Sequence, residues 1–159
     1  MLNIGDTMDT SMEIDVVENG EPRTASLEDL LVRPTVLSIY MSNNTSSCDK
    51  QNQDLVDGID RIREAGYDVI AIAKNGTRSH SNYAEKLGIS YTLASDPDHK
   101  IADALDAIVE KNMYGKTYEG PARSAFILDT DGTVLAVIEK VDTAGHVDQI
   151  LSAIDEIEG

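Results

Sequence analysis

Tryptophan is absent, phenylalanine occurs once and tyrosine six times. The core must therefore be built mostly from Val, Ile, Leu and Ala. Cysteine also occurs once, as Cys48. One thiol forms no internal disulfide, which fits a reducing cytoplasm, and it excludes zinc sites built on cysteine pairs. The three histidines, His80, His99 and His146, lack metal-ligand spacing. No cofactor is expected. No apolar run approaches membrane-spanning length, and the opening MLNIGDTMDTSMEID has neither the basic segment nor the apolar stretch of a signal peptide. Basic residues are scarce, 13 against 29 acidic ones, for a net charge of −16. Such a surface repels phosphates, so nucleic acids and membranes are not expected partners. It is read as a solubility surface.

What is present fits one domain over residues 1–159, long enough for a real core. MEIDVVENGEPRTAS reads as a hairpin around Asn19-Gly20, and Ser26 as the cap of a short helical turn. TVLSIY, Thr35 to Tyr40, is a strand buried on both faces. Leu55, Ile59 and Ile62 then recur at helical spacing up to Gly66, and YDVIAIA gives a second buried strand. Strand, helix and strand over this length make a βαβ unit with parallel strands. SHSNYAEKLG reads as a helix ending at Gly88, SYTLASD as a short strand, and DPDHKIADALDAI as a helix with Asp96 or Asp98 near its cap. SAFILDTDGTVLAVIE is two strands around Asp131-Gly132, and GHVDQILSAIDEIE is an amphipathic helix. The order predicts an α/β protein with a mixed sheet and helices packed on it. His80, His99 and His146 are expected to face solvent, and the Asp residues near turns are expected to cap rather than to bind calcium.

Cys48 sits in the polar stretch NNTSSCDKQNQ, between the end of a strand and the start of a helix. Sites form on this edge of open α/β sheets. Unpaired amides and the helix dipole there favour the thiolate, the reactive form of cysteine. Asp49 opposes a second negative charge beside it, so a nearby cation is required. Free cysteine is also among the most buried residue types, but the polar flanks argue against an apolar pocket. From position alone, a reactive thiol and an inert packed one both stand.

The segment Tyr40-Met41-Ser42-Asn43-Asn44-Thr45-Ser46-Ser47-Cys48 resembles the Y-P-x-x-x-T-P-G-C segment of peroxiredoxins, above all of the bacterioferritin comigratory protein subfamily. Tyr40, Thr45 and Cys48 match in spacing. LNIGDTMDTSMEI stands where that family has V-G-D-x-A-P-D-F-x-L, and NYAEKLGISYTLASDPDHKIADAL resembles the segment after its central strands. MYGKTYEGPARSAFILDTDG, residues 113 to 132, is the strongest match outside the cysteine and places Arg123 where the family keeps its active-site arginine.

The resemblance implies a thioredoxin-like fold, a mixed central sheet flanked by helices with an N-terminal β-hairpin. It implies thiol-dependent reduction of hydrogen peroxide or small organic hydroperoxides, with Cys48, Thr45 and Arg123 as catalytic residues. Cys48 attacks the peroxide and becomes a sulfenic acid, Thr45 places its hydroxyl on peroxide or sulfur, and Arg123 stabilises the thiolate. Without the resemblance, Thr45 reads as a capping hydroxyl and Arg123 as half of a surface ion pair.

Three departures accompany the match. Met41 replaces the shielding proline, Ser46-Ser47 replaces Pro-Gly, and Gln53 occupies the position of the resolving cysteine found in many relatives. The sulfenic acid then needs an external thiol, a thioredoxin-like protein or a low-molecular-weight thiol, or the Cys48 of another copy. The chain is expected to be cytoplasmic, as a monomer or a homodimer. The competing reading is a redox-sensing or binding module of low turnover on the same fold, which the loss of two loop prolines favours.

Overall fold

The structure is a computed structural model that describes residues 1–159. β1 (Glu13–Glu18) and β2 (Glu21–Ser26) form the expected hairpin. Its corner residues Asn19 and Gly20 have φ of 51° and 79°, as a tight two-residue turn requires. Helix α1 (Leu27–Leu30) follows, with Ser26 at its start making no side-chain cap bond. β3 (Thr35–Ile39), α2 (Ser46–Glu64) and β4 (Asp68–Ala73) are the βαβ unit, with β3 and β4 parallel in register Thr35 to Asp68. Helix α3 (Thr77–Leu87) ends at Gly88 in the left-handed conformation, and β5 (Thr92–Ser95) runs parallel to β4. β8 (Ala125–Leu128) pairs antiparallel with β3, and β9 (Val134–Ile138) antiparallel with β8. Helix α5 (His146–Glu158) closes the chain. The strand order is β2-β1-β5-β4-β3-β8-β9, a mixed sheet as expected.

The pleat of β3 divides the interior. Val36 packs on one side with Leu55, Ile59 and Ile62 of α2, Tyr83 of α3, and Val147, Ile150 and Ile154 of α5. Leu37 and Ile39 pack on the other side with Leu27 of α1 and Ile101, Ala102 and Leu105 around α4 (Lys100–Ala104). Each large apolar side chain removed from water contributes about 1.5–3 kcal/mol. Where α2 meets α5, a Cβ on Gly58 would lie 2.6 Å from both methyl carbons of Val147. Only glycine allows that approach.

Two segments differ from the expectation. The helix read over DPDHKIADALDAI shrinks to α4, five residues long, because Asp106 turns to a φ of 52° just beyond it. Asp96, not Asp98, caps it, its carboxylate accepting the amides of Ile101 and Ala102 at 3.0 and 3.2 Å. Beyond it, β6 (Ile108–Met113) and β7 (Lys116–Pro121) form a separate hairpin. Residues 108–121 carry no alternating apolar pattern, because most of this hairpin is not buried. Its only local sign is Tyr114-Gly115, which turns with φ of 53° and 79°.

Candidate active site

The backbone leaves β3 at Tyr40, crosses the loop Met41–Asn44 and enters α2 at Thr45. Cys48 therefore lies in the first turn of a 19-residue helix, at the carboxyl end of a central strand. Its side chain is 1% exposed. The polar flanks argue against an apolar pocket; instead residues 44–47 and Lys50 face outward, Asn43, Gln51 and Asn52 are buried, and the thiol turns inward against the α2–α3–α5 core. Arg123 reaches it from the connection between β7 and β8. Its Nη1 donates to Cys48 Sγ at 3.3 Å and to Gln51 Oε1 at 2.8 Å. Arg123 is thus no surface ion pair.

Burial pushes the Cys48 thiol up. The Thr45 hydroxyl, the backbone of Ser42, Arg123 and the backbone of Met41 pull it down, and the balance leaves it below its ordinary value of 9.0. Thr45 immediately precedes α2 as its cap residue but makes no side-chain cap bond; its hydroxyl donates to the Ser42 carbonyl at 2.9 Å. That hydroxyl has one proton, and turning it toward sulfur takes a single bond rotation. Asp49 accepts the Tyr83 hydroxyl at 2.7 Å, which ties its carboxylate to α3.

The loop without its two prolines is held by side chains. Tyr40 donates to Asn43 Oδ1 at 2.6 Å, Asn43 donates to His80 Nδ1 at 3.0 Å and to Ser79 at 3.1 Å, and the Asn43 amide donates to Asn75 at 3.0 Å. His80 is fully buried and donates from Nε2 to the Ala94 carbonyl at 3.0 Å. His146 is also fully buried, with Nε2 2.9 Å from Ser38 Oγ. Both were expected to face solvent. They lie inside because each falls on the inward side of its helix and finds a buried partner there. His99 is half-buried at the start of α4.

Lys111 was missed by the sequence reading, and so was Gln51. Lys111 crosses from β6 to place Nζ 2.9 Å from Met41 Sδ. Burial lowers its pKa, the Arg123 charge lowers it further, and Cys48 opposes both. Met41 and Lys111 line a cavity of about 400 Å³, walled also by Tyr40, Met113, Tyr118 and Pro121, between the sheet edge and the β6–β7 hairpin. Neither residue gave a local signal; only the fold brings residue 111 to residue 41. No group of three metal-ligating side chains is gathered anywhere in the chain.

Cys48 is thus a buried thiol with a lowered pKa, in the first turn of a helix and in contact with an arginine. The AhpC/TSA family model matches residues 6–137, and the chain belongs to that family. It is 34% identical over 119 residues to peroxiredoxin Bcp of Xanthomonas campestris, covering 75% of this chain and 74% of the relative. It is 32% identical over 131 residues to peroxiredoxin Bcp of Escherichia coli K12, covering 82% and 84%. A solved structure of the X. campestris bacterioferritin comigratory protein, studied for its alkyl peroxide reduction activity, superposes with a TM-score of 0.86 at 26% identity, covering 97% of this chain and 98% of that one. The fold is thioredoxin-like, the subfamily is the bacterioferritin comigratory one with a single cysteine, and the enzyme is a peroxiredoxin-type thiol peroxidase.

Proposed function

We propose that Cys48, Thr45 and Arg123 carry this peroxidase chemistry within one domain spanning residues 1–159. The Arg123–Cys48 contact of 3.3 Å is the observation that supports it most. The Cys48 thiolate attacks one oxygen of a hydroperoxide ROOH. The S–O bond forms, the O–O bond breaks, and RO⁻ leaves and takes up a proton to give ROH. Sulfur is oxidised to the sulfenic acid. Arg123 and the amides of the α2 start face the charge that develops on the leaving oxygen. The substrate is hydrogen peroxide or a small organic hydroperoxide, whose organic part the cavity beside Met41 accommodates.

An external thiol R′SH then attacks the sulfenic sulfur, giving a mixed disulfide and water. A second R′SH releases Cys48 and R′SSR′. The donor is a thioredoxin-like protein or a low-molecular-weight thiol, and the setting is the cytoplasm. The chain acts as a monomer or a homodimer. A net charge of −16 on each copy opposes a Cys48–Cys48 bond between copies at low salt.

Peroxide consumption with added thiol, measured for wild type and Cys48→Ser, tests this. Catalytic consumption that vanishes in the variant is expected. Slow stoichiometric oxidation of Cys48 without turnover would instead make the chain a redox sensor.

A further inference from the structure

Behind Arg123 runs a buried polar chain. Gln51 on α2, Ser38 on β3 and His146 on α5 are each 0% exposed. Buried polar groups are costly without partners, so their hydrogens can be assigned by counting donors and acceptors. The guanidinium of Arg123 only donates, so Gln51 turns Oε1 to it, at 2.8 Å. The Gln51 amide nitrogen then spends its two hydrogens on the Ile39 carbonyl at 3.2 Å and on Ser38 Oγ at 3.0 Å. Ser38 accepts there and keeps its own proton, which goes to His146 Nε2 at 2.9 Å. Neutral His146 therefore carries its hydrogen on Nδ1, which makes no close hydrogen bond but has the Gln149 side chain beside it. From Arg123 the hydrogen bonds to Gln51, Ser38 and His146 run in one direction and end on α5.

We propose that Ser38 and His146 are positioning residues of the peroxidase site. They take up hydrogens in one direction, fix the Gln51 amide, and so aim Arg123 Nη1 at Cys48 Sγ. A flipped Gln51 amide would set N–H against the guanidinium and oxygen against the Ile39 carbonyl, two repulsions at once. Without Ser38, one amide hydrogen loses its partner and Gln51 gains freedom to turn. Without an acceptor on α5, the Ser38 proton is orphaned and competes for Gln51. This inference rests on the peroxidase reading of Cys48 and Arg123 and extends it across the core to residue 146.

The test follows Cys48 alkylation against pH and the second-order rate with hydrogen peroxide. Wild type is compared with Ser38→Ala, His146→Leu, His146→Gln and Arg123→Met, with urea unfolding measured in parallel. Ser38→Ala and His146→Leu are expected to raise the Cys48 pKa by about half a unit and to slow the peroxide reaction by roughly three- to tenfold. His146→Gln restores an acceptor oxygen and is expected to recover most of both, which lost packing alone would not explain. If His146→Leu does not fold, Ser38→Ala decides, since it removes a single buried atom. Folded Ser38→Ala with a wild-type thiol titration and peroxide rate overturns the proposal. If Arg123→Met shifts both readouts while Ser38→Ala shifts neither, this inference alone fails. If Arg123→Met shifts neither, the active-site assignment fails with it.

Discussion

The two faces of the central sheet are built on different rules. The face under α1 and α4 packs Leu27, Leu37, Ile39, Ile101, Leu105 and Phe126, and its buried carboxylate, Asp96, only caps α4. The face under α2, α3 and α5 interleaves its apolar cluster with Ser38, Gln51, Asn52, His80 and His146, all fully buried. Asn52 donates to the Cys48 carbonyl at 3.1 Å and accepts the Tyr91 hydroxyl at 2.8 Å, so polar side chains brace the cysteine helix from below. An apolar cluster stabilises by area and tolerates small shifts. A polar network demands defined directions and loses much when one member is removed. On this face the Cys48 sulfur and the Arg123 guanidinium meet at 3.3 Å.

The largest effect on stability should come from the apolar face. Leu105→Ala is expected to cost about 2–5 kcal/mol in urea unfolding, while the Cys48 titration of the folded protein stays as in wild type. A shifted thiol in that variant would mean that the two faces are coupled and the contrast is wrong. Arg123→Met is the reverse experiment. It should slow the reaction with peroxide by about 10²-fold and lower stability in urea by about 1–3 kcal/mol, because the buried Gln51 Oε1 loses its donor. Equal peroxide rates would remove Arg123 from the site.

A smaller effect sharpens the comparison through pH. Burial holds His146 at about 4, below its ordinary 6.5, and burial also lowers His80. Unfolding restores the ordinary value. The unfolded chain therefore binds more protons between about pH 6.5 and 4, and stability falls as pH drops through that window. His146 alone should remove on the order of 2 kcal/mol between pH 7 and pH 5. Urea midpoints at the two pH values, for wild type and His146→Gln, measure it. The variant should lose less on acidification, and an identical loss would place His146 outside the buried network.

The elements that carry apolar periodicity were legible in the chain. TVLSIY and YDVIAIA read as buried strands and contain β3 and β4, each one residue shorter; Leu55, Ile59 and Ile62 mark the buried side of α2. Cys48 stood out as a candidate by its place between a strand and a helix, Thr45 and Arg123 only through the resemblance to a family, and the fold brings Arg123 across 75 residues to the thiol. The β6–β7 hairpin, the depth of His80 and His146, and the parts of Gln51 and Lys111 were not legible. A polar residue in an amphipathic helix looks the same whether its face meets water or a buried partner.

Local order along the chain determined the strands, the helix stops at Gly66 and Gly88, and the turns at Asn19-Gly20 and Asp131-Gly132. It did so because propensity, period and backbone freedom act over a few neighbouring residues. Tertiary structure alone decided that the thiol is buried. It also decided that Asn43 of the loop before Cys48 bonds to the buried His80, and that Ser38, Gln51 and His146 line up behind Arg123. Those outcomes depend on hydrogen-bond partners 37 and 108 residues away, and such a partner exists only once the sheet and its helices have closed around it.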